Sequence, residues 1–335
     1  MSDTITHFHS NRILWLDAAK FIGIFMVAFG HNWLDSKFCY YFYSFHMPLF
    51  FILAGITFST KKSFKAFSWN KFKVLIIPYI FFAVCLIALY SLLSHTHNGS
   101  YDAINEITEF AIQRRHTHLW FLPVLFFSEL IVFAILSSFN SGKTTVLISI
   151  ILILFTLHFC MVLNRVDNWI WNLDLVPLAS AFIILGYLYK TKGMKYKIED
   201  HLYFVGLLIV LSISISTFNY INNGSVDIFT NRYGNYPLFI IGAIISTYLL
   251  FLILKRITLP QWMIYIGMYS LIYYGLHRII IEFMFAVYAK VGIVFNGGTM
   301  IGLMLACVNV LVAFLLLYPV VELINKKAPW VIGKF

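Results

Sequence analysis

From residue 13 to residue 322 this chain is a succession of apolar stretches of about 20 residues, separated by polar gaps too short to hold a folded domain. A helix of about 20 residues is about 30 Å long, the thickness of a bilayer's hydrocarbon core, and it satisfies its own backbone there. Windows of that length predict ten spans, at 13–33, 44–60, 72–94, 119–138, 145–163, 172–189, 202–219, 236–254, 263–285 and 300–322. The chain reads as an all-α integral membrane protein, one membrane domain over residues 1–335. Only 11% of its residues are charged, where a soluble domain carries about 25%.

The net charge of +10 would suit nucleic acid were it gathered on one face. It is not. With the N-terminus inside, the inner segments, with Lys73 at the start of the third span, hold sixteen Lys and Arg and the outer ones six, which is the positive-inside bias of a membrane protein. Both termini are then cytoplasmic, and the basic charge is topology, with room for anionic lipid contact. No nucleic-acid partner is expected. Cys39, Cys85, Cys160 and Cys307 are scattered singly, so neither a disulfide framework nor a zinc site is expected. The first apolar stretch holds Asp17 and Lys20, and no small-residue cleavage site follows it, so it reads as a retained helix. The longest polar interruption, 95–118, has Ala103, Ile104, Ile107, Phe110 and Ala111 at helical spacing, which predicts a short interfacial helix within 102–115. The Asn- and Gly-rich segment 220–235 reads as an irregular outer loop.

Ionisable side chains inside apolar spans mark functional sites by default. The first span carries three. Asp17, Lys20 and His31 fall on one stripe, because eleven helical steps bring Lys20 and His31 to nearly the same face, about 16 Å apart. His31 suits a general base, or a helix-end histidine bonded to a loop. Lys20 at this depth needs a partner or a wet cavity, and Asp17 one turn earlier supplies a local bridge. His46, just before Pro48 in the block Phe45-His46-Met47-Pro48-Leu49-Phe50-Phe51, converges with His31 across a short hairpin, or caps its helix. Ser270, Tyr273 and His277 lie on one face of a late span, beside Arg278 and Glu282, whose i,i+4 spacing makes a self-neutralising pair. At the outer junction, Trp120 fits an interfacial belt, while Arg114 and Arg115 pair equally well with an anionic sugar or a pyrophosphate head group. The His95/His97 and His116/His118 pairs carry little weight as metal ligands.

Four of these blocks, in this order, resemble the acyltransferase-3 membrane enzymes, closest in motif to fucose 4-O-acetylase-like sugar O-acetyltransferases. Lys20 to His31 is similar to the family's basic-x10-His signature, and the Phe45–Phe51 block to its FHMPLFF element. Leu119-Trp120-Phe121-Leu122-Pro123 resembles the start of its fourth span, and Gly267 to His277 its late G-x-x-S-L-x-x-Y-x-x-H helix. Phe21 and Ala54 stand where the family often has Gly and Ser, and neither change removes a chemical group from the proposed site. The resemblance implies transfer of an acyl group, acetyl from acetyl-CoA, to a hydroxyl of a cell-envelope or lipid-linked sugar in a bacterial inner membrane. It implies catalytic roles for His31, Lys20, Asp17 and His46, with His31 as base or as the nucleophile of an acyl-histidine intermediate. Arg114, Arg115, Trp120, Ser270, Tyr273 and His277 become substrate-binding candidates. Arg12, Lys61, Lys62 and Lys65 become candidates for the CoA phosphates, although topology explains these lysines equally well. Acetyl-CoA is a co-substrate in this reading and no metal is involved. Which sugar is modified, and the oligomeric state, stay open. The competing class is a proton-coupled transporter or flippase of a glycan precursor with His31 and Lys20 as its polar relay; the chain shows no internal repeat to favour it.

Overall fold

A computed structural model describes residues 13–96, 102–138, 143–193 and 202–334. Among these residues there is no strand, only one isolated bridge between Asp227 and Arg232, and nine helical stretches are long and apolar enough to cross a bilayer. A further helix, α1 (Leu14–Gly30), has 17 residues, about 25 Å of rise. With it the count reaches the ten that the sequence predicts.

The helices follow the apolar windows, with three departures. The second window, 44–60, holds only the short helix α3 (His46–Thr57), and another short helix, α2 (Ser36–Tyr43), lies just ahead of the window. Twelve residues rise about 18 Å, so α3 does not cross a 30 Å core alone; α2 and α3 cross as a bent pair. The third begins earlier, as α4 (Phe64–Lys71), then a single π-helical turn at Phe72–Ile76, then α5 (Ile77–Thr96). The ninth is broken into α12 (Gln261–Met268) and α13 (Ser270–Lys290). Between these lie the outer helix α6 (Ala103–Ile112), which falls within the predicted interfacial segment, and α7 (Phe121–Ser138), α8 (Thr144–Leu163), α9 (Val176–Thr191), α10 (Leu202–Asn223) and α11 (Tyr236–Arg256). The last helix is α14 (Met300–Lys327).

Helix α1 is the hub, touched by α2, α3, α11, α12, α13 and α14. Its burial follows from composition: of seventeen residues only Asp17 and Lys20 are charged, and they bond each other. The second organising contact is between α3 and α9. A Cβ on Gly55 would stand 2.0 Å from the Ile183 carbonyl oxygen, and one on Gly186 would stand 2.0 Å from the Ile52 carbonyl oxygen. Two facing glycines thus let the backbones touch, the small-residue device of membrane helix pairs.

The end of α1 is pinned by a buried polar chain. The Asn32 amide donates to Ala28 O, Asn309 Nδ2 donates to Asn32 Oδ1 at 2.8 Å, and the Tyr288 hydroxyl donates to Asn309 Oδ1. The residue after His31 is therefore tied to α13 and α14, which fixes where His31 projects.

Candidate active site

Three histidines meet at the end of α1. His31 Nδ1 lies 2.7 Å from His277 Nε2, and the two rings are nearly parallel, 12° apart in tilt. His118 stands edge-on to both, with ring centroids 5.7 Å from His31 and 5.3 Å from His277. His118 comes from a single 3₁₀ turn, His118–Trp120, that leads into α7. Its Nε2 donates to Gly275 O at 3.3 Å, and its buried Nδ1 finds no partner among the described residues. The Tyr274 hydroxyl donates to the His118 carbonyl oxygen and locks this turn against α13.

His31 and His118 open onto a cavity of about 550 Å³, within the usual size of a ligand site. Its wall mixes aromatic rings (Trp33, Tyr43, Trp120) with charged groups (Arg115, Asp227, Arg278) and His46. Trp33 is 71% exposed and has φ +54, a left-handed backbone that a bulky residue rarely adopts. A second cavity of about 210 Å³ lies at the Lys20 end of α1, lined by Lys20, Phe50, Ala54, Thr57, Leu75 and Ser270 among others. Val27, Met47 and Tyr274 line both cavities. These three side chains form the wall between them, and Lys20, Val27 and His31 run along one face of α1 at i, i+7 and i+11.

The sequence-derived candidates divide accordingly. Lys20 Nζ bonds Asp17 Oδ1 at 2.9 Å, so the local bridge exists while Lys20 still faces a cavity. His46 Nδ1 donates to Phe42 O at 2.9 Å, and the same residue lines the His31 cavity. Ser270 faces the Lys20 cavity. Tyr273 is in the core against Phe314, and His277 is fully buried beneath His31; neither lines a cavity. Trp120 lines the His31 cavity, and Arg114 is exposed away from it. Lys61 and Lys62 are exposed in the loop before α4, and Lys65 is exposed in the first turn of α4 itself. Arg12 lies outside the described residues, as do Lys195 and Lys197.

Arg115, which lines the His31 cavity, is also bonded into its cap. Its guanidinium donates to Ile228 O, Phe229 O and the Asp174 carboxylate, and its backbone N–H donates to Asn172 Oδ1. It clamps the outer loop 224–235 over the cavity. Gln113, Arg115, Thr117, Trp171, Asn172 and Asn231 all have positive φ, so this cap is a strained backbone held by side-chain bonds. Arg278 shows the opposite arrangement. Its Nε donates to Glu282 Oε1 at 2.7 Å, Tyr90 donates to the other Glu282 oxygen, and no described residue bonds its terminal nitrogens, on a residue that lines the cavity. The expected self-neutralising pair is there, with a free edge.

Sequence reasoning named neither Tyr274, Asp227 nor Arg278 as site residues, and it left His118 among weak metal candidates. His118 had a signal, adjacency to the Leu119-Trp120-Phe121 block; Asp227 had none, since its loop reads as irregular. Neither a curated protein nor a solved structure matches the chain. The acyltransferase domain of the acyltransferase-3 family does, over residues 13–318. That match runs from the start of α1 into α14 and encloses the three histidines and both cavities, so the chain belongs to the acyltransferase-3 family and is a membrane-embedded acyltransferase.

Proposed function

We propose that this protein transfers an acetyl group from acetyl-CoA to a hydroxyl of a cell-envelope or lipid-linked sugar, with His31 as general base. The observation that carries the reading is the pair of cavities that meet end to end at Val27, Met47 and Tyr274, with His31 on one side and Lys20 on the other. Acyl transfer needs a donor and an acceptor in contact at one base, and this arrangement brings two ligands together from opposite ends of α1. The positive-inside distribution supports a donor at the Lys20 end, facing the cytosol of a bacterial inner membrane. The smaller, largely apolar cavity has room only for the arm that bears the thioester. The CoA phosphates then stay at the surface, where Lys61, Lys62 and Lys65 are exposed. Trp33, Tyr43 and Trp120 offer flat apolar faces to a sugar ring, while Asp227 and the free edge of Arg278 accept from and donate to its hydroxyls.

In the reaction the acceptor hydroxyl gives its proton to His31 as its oxygen bonds to the thioester carbonyl carbon. The tetrahedral adduct collapses, the carbon–sulfur bond breaks, and the thiolate takes the proton back from His31. Lys20, paired with Asp17, holds the donor arm. His46 lies across the cavity and orients the acceptor. Membership of an acyltransferase family favours the enzyme over a proton-coupled transporter.

The test is release of label from acetyl-labelled acetyl-CoA onto a glycan extract by the purified protein in detergent. The wild-type protein transfers label. His31→Ala loses at least about 10²-fold in rate, the lower range for removing a general base. Wild-type protein that transfers nothing, or His31→Ala with full activity, ends this reading.

A further inference from the structure

We infer that His277 is the positioning residue of this site: it holds His31 in the one tautomer whose Nε2 is bare, and it shares the charge when that nitrogen is protonated. The argument runs from oxygen atoms inward. His277 Nδ1 lies 2.9 Å from Tyr273 O and 2.9 Å from Tyr274 O. Carbonyl oxygens only accept, so Nδ1 carries the hydrogen. In a neutral imidazole the other nitrogen is then bare, and His277 Nε2 accepts. The atom 2.7 Å from it is His31 Nδ1, which must donate. That leaves Nε2 of His31 without a hydrogen, on a residue that lines the larger cavity. With both rings neutral, this assignment alone satisfies every contact.

The logic is that of a catalytic triad in which a third group fixes the tautomer of the base, with His277 in place of the carboxylate and two backbone carbonyls of α13 orienting His277. His277 touches neither cavity, so it acts through His31 and not on substrate. When the acceptor's proton arrives on His31 Nε2, the Nδ1–H bond to His277 shortens the reach of the new charge to a polarisable ring. That ring in turn rests on two carbonyl oxygens. On collapse of the adduct the same proton leaves Nε2 for the thiolate, and both rings return to their starting state. The reaction itself rests on the acyl-transfer reading above; the tautomer does not.

The experiment therefore has two arms. Nitrogen NMR of histidine-labelled protein in detergent, with His31→Gln used to assign the His31 signals, reads the tautomer without any substrate. The expected result is His31 protonated at Nδ1 in the wild type and a shift toward Nε2 protonation in His277→Phe. In the transfer assay His277→Phe loses about 10²- to 10⁴-fold in kcat, the range of a general base, with KM for both substrates nearly unchanged. His277→Gln, whose amide oxygen can stand where Nε2 stands and accept from His31, recovers most of kcat. A wild-type His31 protonated at Nε2 overturns the inference, as does His277→Phe with full kcat, or a His277→Gln protein that folds but stays as inactive as His277→Phe. A wild type that shows the Nδ1 tautomer but transfers no acyl group overturns the proposed function and leaves the positioning role standing.

Discussion

His31 and Lys20 are separated by eleven residues, and the spacing alone placed them on one stripe. What spacing could not say is that the stripe opens into two rooms. Each of the two residues keeps a private partner, Asp17 for Lys20 and His277 for His31, and Val27 between them belongs to the wall. His31 was legible as a candidate because an imidazole in an apolar helix is rare chemistry. Its neighbour His118 had only the adjacent aromatic block as a signal, because its position depends on a 3₁₀ turn packed on α13 from far along the chain. Arg115 lines the cavity, and its guanidinium also bonds Asp174, Ile228 and Phe229, contacts that its residue type does not announce. Arg115→Ala leaves the Asp174 carboxylate buried without its cation and frees a loop that lines the cavity. A fall of about 3–5 kcal/mol in stability is expected from breaking such a pair, together with a raised KM for the acceptor. Thermal unfolding in detergent and acceptor saturation curves check the two halves; a lower melting point with unchanged KM would restrict Arg115 to scaffolding.

At the scale of elements, hydropathy windows located the helices and missed where they bend. A window sums apolarity and is blind to backbone contact. Helix α12 stops at Met268 with no proline to break it; Gly267 sits so close to α1 that a Cβ there would collide with the Asp17 carbonyl oxygen. The chain is pressed onto α1 at that point, and α13 then leaves at a new angle that carries His277 to His31. Hydropathy is equally blind to the contact of α3 with α9, where Gly55 and Gly186 bring the two backbones together. At Gly186 even a methyl group has no space. Gly186→Ala is expected to cost about 3 kcal/mol or more, the upper end of overpacking, because its obstacle is the backbone of Ile52 rather than a side chain that can turn away. Gly206, with nothing near its Cβ position, is the matched control on another membrane helix, and Gly206→Ala should leave the melting temperature in detergent nearly unchanged. Equal effects at the two sites would mean that the α3–α9 contact is looser than its geometry.

For the whole molecule, the all-α membrane class and the long apolar helices were readable from hydropathy, since only a bilayer tolerates so much apolar surface. The two cavities were not, because they are made by what the helices fail to fill. Their dividing wall is unequal. Val27 is β-branched and stiff in a helix, Tyr274 is held by its bond to His118 O, and Met47 is an unbranched thioether that changes rotamer readily. In the proposed reaction a donor arriving from one end and an acceptor from the other meet at this wall, and Met47 is its side chain most free to move. Met47→Trp should therefore abolish transfer while leaving acceptor binding measurable by tryptophan-independent calorimetry. Met47→Ala should admit water and raise hydrolysis of the thioester in the absence of acceptor. Transfer that survives Met47→Trp undiminished would place the route elsewhere.

The position of α1 at the hub has a consequence for how the protein is made. Helix α1 is enclosed late, because its neighbours α11, α12, α13 and α14 are all synthesised long after it. Until then Lys20 must wait among lipid, translocon and half-built neighbours without the surroundings it has at the end. Asp17, one turn away, is present from the first moment, so the lysine carries its counter-ion with it through assembly. The local pairing of Asp17 with Lys20 therefore serves the growing chain as well as the finished one, whereas the His31–His277 contact forms only once α13 has been made.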